Sequence, residues 1–287
     1  MANRTPGEVA EYAVQSGEAK AGLSLLSLLA LGFGAGAFIA LGYLLSIRVT
    51  ASVPVEWGSF TSLLGASVFP LGLILVLIGG GELLTGNMMT LSIARLSGRI
   101  TSGQVAVNWF WVTLSNFAGA MFVAYFFGHV VGLTESGPYL EKTISAAAQK
   151  LDEPFLQAFI SGIGCNWLVS LAVWLAYAAN STGGKIAGIW FPTMAFVAIG
   201  FQHVVANMFV IPAAIFAGYF TWVEYAANFV PVFLGNAVGG SLFVAGIYWV
   251  AYLRNGTERA KCGFRNEHGA DSTAEREPKT GKPTIST

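Results

Sequence analysis

Gly79-Gly-Gly-Glu-Leu-Leu-Thr-Gly-Asn87 and Gly200-Phe-Gln-His-Val-Val-Ala-Asn207 each interrupt a long apolar run, at matching places in two copies. At an offset of 120 residues Gly80 meets Gly200, Glu82 meets Gln202, Asn87 meets Asn207 and Met88 meets Met208. The match continues downstream, where Asn108-Trp-Phe-Trp-Val-Thr-Leu-Ser-Asn116-Phe-Ala-Gly119 lines up with Asn228-Phe-Val-Pro-Val-Phe-Leu-Gly-Asn236-Ala-Val-Gly239. Repeated membrane segments broken by glycine and polar groups at equivalent positions point to a solute path near the bilayer midplane.

Composition leaves room for little else. Of 287 residues 54% are hydrophobic, and the thirty charged side chains are crowded at the ends: five in residues 1–20, twelve in residues 254–287 and thirteen in the 233 between. A water-soluble domain of this size cannot hide so much apolar surface, so the chain reads as an integral membrane protein. Its net charge of zero argues for no nucleic-acid partner. Cys165 lies in an apolar run and Cys262 in the polar tail, and no disulfide is expected between them. Residues 1–20 contain no signal-peptide core, so the first apolar segment is expected to insert and stay.

Apolar segments fall at roughly 22–47, 61–96, 106–131, 155–177, 186–218 and 227–252, each long enough to cross a bilayer. The second and fifth are over-long for one helix and contain the two breaks. Non-helical backbone at membrane depth must be buried or line a cavity, so both read as discontinuous helices. The expected fold is an all-α membrane protein of six transmembrane helices, a three-plus-three inverted repeat over about 21–131 and 155–253. The first and fourth spans carry a weaker echo, Ala37-Phe-Ile39 against Ala158-Phe-Ile160. Residues 1–20 form a cytoplasmic segment that could be a short interfacial helix through Val9, Tyr12, Ala13 and Ser16. Residues 254–287 read as a disordered cytoplasmic tail. Arg95, Arg99, Lys185 and the basic start of the tail fall on one side, whereas the opposite gaps mix Arg48, Lys142 and Lys150 with six acids. Both termini are therefore expected in the cytoplasm of a multi-pass inner-membrane protein.

Several residues carry candidate chemistry. His203 reads either as a buried neutral histidine tied to backbone or as a pathway group. Its place in the break, beside Gln202 and near Asn207, favours the pathway, and imidazole switches charge near neutral pH. Thr85 in the partner break either caps a half-helix or reaches across to the imidazole and fixes its tautomer. Asn87 and Asn207 open the second half of each broken helix, as N-caps or as part of a positive helix end that favours an anion. Glu82, an acid inside a span, fits a structural hydrogen-bonding role better than a proton relay. Asn116 and Asn236 match by repeat and are expected to support the freed backbone. The tryptophans at 57, 109, 111, 190, 222 and 249 fit interfacial belts. Gly32, Gly34 and Gly36 would allow close helix contact between protomers.

At these residues the chain resembles the formate–nitrite transporter family, over about residues 20 to 253. The matching pieces are Gly81-Glu-Leu-Leu-Thr-Gly-Asn-Met-Met89, Ser97-Gly-Arg-Ile-Thr101, Gly164-Cys-Asn-Trp-Leu-Val-Ser-Leu-Ala-Val-Trp174, Gly200-Phe-Gln-His-Val-Val-Ala-Asn-Met208 and Leu234-Gly-Asn-Ala-Val-Gly-Gly240. The resemblance implies an aquaporin-like fold, a homopentamer with one pore per protomer, and small monovalent anions as cargo: formate first, with nitrite or hydrosulfide as the alternative. It places the central histidine at His203, the loop threonine at Thr85, polar partners at Asn166 and Asn207, and a vestibule lysine at Lys150. It places constrictions at Phe69 and Phe196 toward the outside, and at Leu73, Leu83, Leu84 and Val169 toward the cytoplasm. Gln202 departs from a frequent glutamate and Leu84 from a frequent phenylalanine.

The expected function is passive or proton-coupled transport, with protons and the lipid bilayer as the other partners. A bare anion in an apolar ring meets a large desolvation cost, which protonation through His203 would remove. An aquaporin-type channel for neutral solutes is disfavoured because paired Asn-Pro-Ala motifs are lacking. A membrane enzyme or electron carrier has too few ligands in His129, His203 and His268, so no cofactor, metal or catalytic residue is expected. A purely structural subunit would leave the two polar breaks without purpose.

Overall fold

The structure, a computed structural model, describes residues 3–254. The rest of the tail, expected to be disordered, lies outside the described residues. The described chain is helical: α1 (Pro6–Ala21), α2 (Leu25–Thr50), α3 (Ser59–Gly80), α4 (Leu84–Leu96), α5 (Ser102–Val130), α6 (Pro138–Leu151), α7 (Phe155–Ala178), α8 (Thr182–Ile199), α9 (Val204–Phe216) and α10 (Trp222–Leu253). Six of these, α2, α3, α5, α7, α8 and α10, are long and apolar enough to cross a membrane. The two breaks fall between α3 and α4 and between α8 and α9. At each, one glycine takes a backbone shape that a side chain would strain: Gly80 with φ 103° and Gly200 with φ 92°.

Helix starts follow local chemistry. Thr5 with Glu8, Thr101 with Gln104 and Thr221 with Glu224 form capping boxes that open α1, α5 and α10. The last two are again 120 residues apart. Asn87 and Asn207 do not cap. Leu83 and His203 hold the N-cap positions, and each asparagine lies in the first turn beyond. The helices start earlier than the asparagines suggest because other groups take their first amides.

The correspondence between halves reaches further back than the sequence reading allowed. α6, not anticipated between the third and fourth spans, occupies the place that α1 holds in the first half, with Lys150 matching Lys20. In this stretch the offset is 130: Asn116 donates to Gly32 O and Asn236 to Gly162 O, both at 2.8 Å. That register overturns the Ala37–Ile39 echo with Ala158–Ile160, which is a chance match within apolar sequence. Half of this ten-residue difference in offset is taken up between the spans, where residues 51–58 join α2 to α3 but only residues 179–181 join α7 to α8, and the rest in α7 and α8, which are shorter than α2 and α3.

α1 docks on the protein: its buried face is Val9, Ala10, Ala13 and Gly17, and it packs on α4 and α7, with Tyr12 left exposed. A Cβ on Gly17 would collide with Thr90 O of α4. Ser16 Oγ meets the Tyr177 hydroxyl at 2.9 Å, so even the residues expected to face lipid are tied to protein.

Glycine sets the closest helix contacts. α2 and α5 touch backbone to backbone: a Cβ on Gly36 would collide with Asn116 O, one on Gly32 with Ser115 Oγ, and one on Gly119 with Phe33 O. α7 and α10 meet in the same way through Gly235 and Gly239 against the Phe159 and Ile163 carbonyls. Gly32 and Gly36 therefore serve contacts within the chain, not between protomers, and Gly34 meets only Phe38. Overpacking such a contact costs about 1–3 kcal/mol. Gly36→Ala is expected to lower the melting temperature of the detergent-solubilised protein by several degrees. Gly7→Ala, whose Cβ would meet nothing within 4 Å, is the control, and equal melting of the two variants would remove this account of the α2–α5 contact.

Candidate functional site

Each broken helix leaves amides and carbonyls without helical partners, and one asparagine collects them in each half. Asn116 Oδ1 accepts from Leu84 N at 2.9 Å, while its amide donates to Gly32 O and Glu82 O, both at 2.8 Å. Asn236 Oδ1 accepts from Val204 N at 2.9 Å, and its amide donates to Gly162 O at 2.8 Å and Gln202 O at 2.9 Å. Both side chains are fully buried. Each bond satisfies a backbone group that would otherwise be stranded away from water. The freed ends are thereby held without help from solvent.

A second polar cluster stands beside each asparagine. In the first half the Lys20 amine pairs with Glu82 Oε1 at 2.6 Å. Asn87 donates to Glu82 Oε2 at 2.7 Å and to Asn108 Oδ1 at 2.9 Å, and Asn108 donates to Lys20 O at 3.4 Å. In the second half Asn207 donates to Gln202 Oε1 at 2.7 Å and to Asn228 Oδ1 at 2.9 Å. Gln202 and Asn228 both donate to Lys150 O, at 3.1 and 2.7 Å. The frameworks agree bond for bond except at one position: a carboxylate in the first half, a neutral amide in the second. The Lys150 amine therefore has no carboxylate in its cluster and donates to Gly200 O at 2.8 Å and Phe201 O at 3.2 Å. Withdrawal from water holds its pKa below the usual lysine value, with Cys165 and Glu153 acting the other way.

The two half-helices meet at the centre. Thr85, in the first turn of α4, lies 3.1 Å from His203 Nε2, at the cap of α9. Both residues are buried. His203 Nδ1 accepts from Ala206 N at 3.0 Å, which leaves Nε2 to carry the hydrogen of a neutral ring and donate it to Thr85 Oγ1. Thr85 is thus neither a cap nor remote from the imidazole. The N-termini of α4 and α9 converge on this pair and turn their positive dipole ends toward it.

Two cavities flank the pair. The larger, about 320 Å³, is lined by Lys150, Asn207, His203, Phe69, Phe196 and Tyr43 among others. Phe69 and Phe196 meet edge to face at 5.7 Å between ring centroids, and Phe196 stacks on His203 at 5.6 Å. The smaller, about 10 Å³, is lined by Lys20, Asn87, Leu83, Leu77 and Tyr177 with others, room for roughly one water. Leu73, Leu84 and Val169 are buried in the packed core and do not contribute to either lining.

Asn166 is also away from both cavities. It donates to Thr85 O at 3.2 Å and to Asn236 O at 2.7 Å, tying the two halves together. Lys20, Asn108, Asn228, Tyr43 and Tyr177 escaped the sequence reading. The asparagines were detectable as the first residues of the downstream repeat, and Lys20 only through an offset of 130. Among the described residues no group of three His, Cys, Asp or Glu is placed to hold a metal.

Comparison with known proteins fits this geometry. A family profile described as formate/nitrite transporter matches residues 7–250. The chain is 61% identical over 259 residues to the uncharacterized transporter YrhG of Bacillus subtilis, covering 90% of this chain and 97% of that one. It is 55% identical over 254 residues to the formate channel BtFdhC of Bacillus thuringiensis, covering 88% and 98%. A solved structure described as a pentameric formate channel with formate bound superposes with a TM-score of 0.70 at 33% identity, over 80% of this chain and 98% of that one. With its two helix breaks bridged by Thr85 and His203, and with residues 7–250 of its 287 matched by that profile, the chain belongs to the formate/nitrite transporter family.

Proposed function

We propose that this protein is a pore for small monovalent weak-acid anions, formate foremost, in the cytoplasmic membrane. The observation that carries this reading is the Thr85–His203 bond, which lies behind Phe69 and Phe196 at the inner end of a cavity holding a lysine without a carboxylate partner in its cluster. The named relatives support formate as cargo and a homopentamer as the assembly. Each chain contains both breaks, so each protomer would hold its own pore. The distribution of basic residues supports cytoplasmic termini, and that orientation would put the Lys20 cavity inside and the Lys150 cavity outside. With three spans per repeat, the two halves would insert with opposite sense. We read the site as transport machinery, with no group assigned to catalysis.

An anion entering the outer cavity meets Lys150. Two of its three ammonium hydrogens are engaged by carbonyls and the third remains for the anion. Beyond it, Phe69 and Phe196 offer no hydrogen bonds, so hydrated ions are held back and desolvation rises. At the centre the Thr85 hydroxyl accepts from His203 and is free to donate its own hydrogen to the arriving carboxylate. A relay through His203 needs a second proton on Nδ1, which must let go of the Ala206 amide to receive it. The ring is therefore uncharged at rest, and charging it costs the α9 cap, about 1 kcal/mol. A site that is neutral at rest does not trap the anion it conducts.

Flux in proteoliposomes with formate, nitrite, hydrosulfide, acetate and glycerol side by side tests the reading; preference for glycerol would overturn it. His203→Asn keeps a capping side chain and removes titration. It should abolish proton-coupled accumulation while the assembled protein stays intact, and an unchanged pH profile would end the relay role. Thr85→Val keeps the volume and loses the hydroxyl. Loss of a buried hydrogen bond to a charged group is worth about 1.5–3 kcal/mol, so formate flux should fall by about tenfold or more. Lys150 is cationic below its pKa, and that pKa is lowered. The KM for anion entering from its side should therefore rise with pH before the ordinary lysine range near 10.4 is reached. Lys150→Arg should flatten that rise, and an equal rise in both proteins would place the effect elsewhere.

A further inference from the structure

One wall of the larger cavity is a face of α2. Tyr43, Ser46, Ile47 and Thr50 line it, at the spacing of three and four that keeps side chains on one side of a helix. Tyr43 stands deepest. Its ring meets Phe69 edge to face at 5.7 Å and Phe209 at 5.8 Å between centroids, and Phe69 meets Phe196 in turn. Ser46 lies one turn further out, against α3, where a Cβ on Gly65 would come within 2.8 Å of its Oγ. The Thr50 hydroxyl is already engaged, donating to Ser46 O at 2.7 Å.

The Tyr43 hydroxyl has no hydrogen-bond partner among the described residues, and it is not sealed off from the cavity. Phenols inside proteins ordinarily find a partner. Here neighbouring rings fix the side chain and leave its O–H unengaged. The fold does not require that hydroxyl. The offset of 130 that relates α2 to α7 puts Val173 in the equivalent place, and Val173 lines the smaller cavity. An apolar side chain therefore serves the same position in the other half.

We propose that the Tyr43 hydroxyl is a specificity-determining donor at the outer aromatic constriction, directed at oxygen anions. Phe69 and Phe196 strip water from the solute and return nothing for it. One O–H beside them gives back a hydrogen bond, but only to a solute that can accept it. Carboxylate and nitrite oxygens accept well, whereas sulfur accepts weakly. Formate and nitrite are thereby favoured over hydrosulfide by acceptor strength, without any difference in pore width. The smaller cavity, with Val173 at the matching place, applies no such selection. This deepens the functional reading above and rests on it, because the anion is the solute proposed there.

The test compares full-length wild type, Tyr43→Phe and Ser46→Ala in proteoliposomes. Initial fluxes of formate and hydrosulfide are measured, less the leak through protein-free vesicles, together with the melting temperature of each solubilised protein. Tyr43→Phe keeps the ring and its packing and removes only the O–H. Formate flux should fall about fivefold to tenfold in this variant and hydrosulfide flux by less than about twofold. The melting temperature should not move, because the hydroxyl has no protein partner to lose. Ser46→Ala, which removes a hydroxyl from the same wall, should leave both fluxes unchanged. Equal falls for the two anions in Tyr43→Phe would overturn the proposal and make the hydroxyl a matter of path width or wetting. An unchanged formate flux would also overturn it, as would a melting temperature lowered by several degrees, which would make the hydroxyl structural. A like fall in Ser46→Ala would remove the assignment to Tyr43. The wild-type arm separates the two failures. Wild type carrying neither anion above the leak ends the functional reading and this one with it, while wild type carrying formate no faster than Tyr43→Phe ends this one alone.

Discussion

Opening two helices inside a membrane strands backbone groups that water cannot reach, and the whole architecture depends on how those groups are satisfied. Asn116 and Asn236 do this with one side chain each: an oxygen for the first amide of the new half-helix, and an amide for the carbonyl before the break and for a carbonyl of the neighbouring span. An asparagine is the shortest side chain with both functions. Its reach fixes how near α2 must lie to α5, and α7 to α10, which is why glycines line those contacts. A Cβ at Gly36 or Gly239 would push the span away and pull the carbonyls off the amide. Close packing and polar satisfaction are thus one constraint seen twice.

On that shared frame three differences between the halves fall at the breaks themselves. The position of Leu83 is His203 in the second half, that of Thr85 is Val205, and that of Glu82 is Gln202. The hydroxyl comes from one half and the imidazole from the other, so neither repeat contains a complete centre. The third difference is electrostatic. Lys20 is neutralised at 2.6 Å by Glu82, while Lys150 has no counterpart to that carboxylate in its own cluster. The two cavities therefore differ in charge although their hydrogen-bond frameworks coincide, and the field inside the chain has a direction.

Much of this was legible because symmetry is visible in sequence where chemistry constrains it. Gly80 and Gly200 stand out since only glycine tolerates their backbone, and Asn116 and Asn236 since no other residue makes their three bonds. The spans emerged from apolar length alone. What failed did so for physical reasons. α6 and the docked α1 are short and amphipathic, so they leave no apolar signature. Lys20 and Lys150 pair at a different offset because a connection and the spans beside it are shorter in the second half, and the change in the connection costs the fold almost nothing. The Ala37–Ile39 echo was false because three apolar residues recur by chance in any span. Asn87 and Asn207 resembled caps in sequence, but capping had passed to His203 and the Asn clamps, and the side chains were released for another use. Asn166 was expected beside the solute through the resemblance, yet it ties Thr85 to Asn236 from behind.

The use of His203 as a helix cap resolves a conflict between stability and transport. A charged group held at the centre of an apolar constriction would bind an anion tightly and stop it. An inert apolar residue, as at Leu83, would leave the desolvation barrier untouched. A histidine whose Nδ1 is committed to the Ala206 amide stands between these extremes. In the proposed relay it would offer one proton through Thr85 and resist accepting a second, because doing so would expose the first turn of α9. The positive ends of α4 and α9 also disfavour a cation at that point and favour negative charge on the solute. In the proposed pore, proton supply through the Thr85 bond and capping of α9 through the Ala206 bond would be coupled because one imidazole ring makes both.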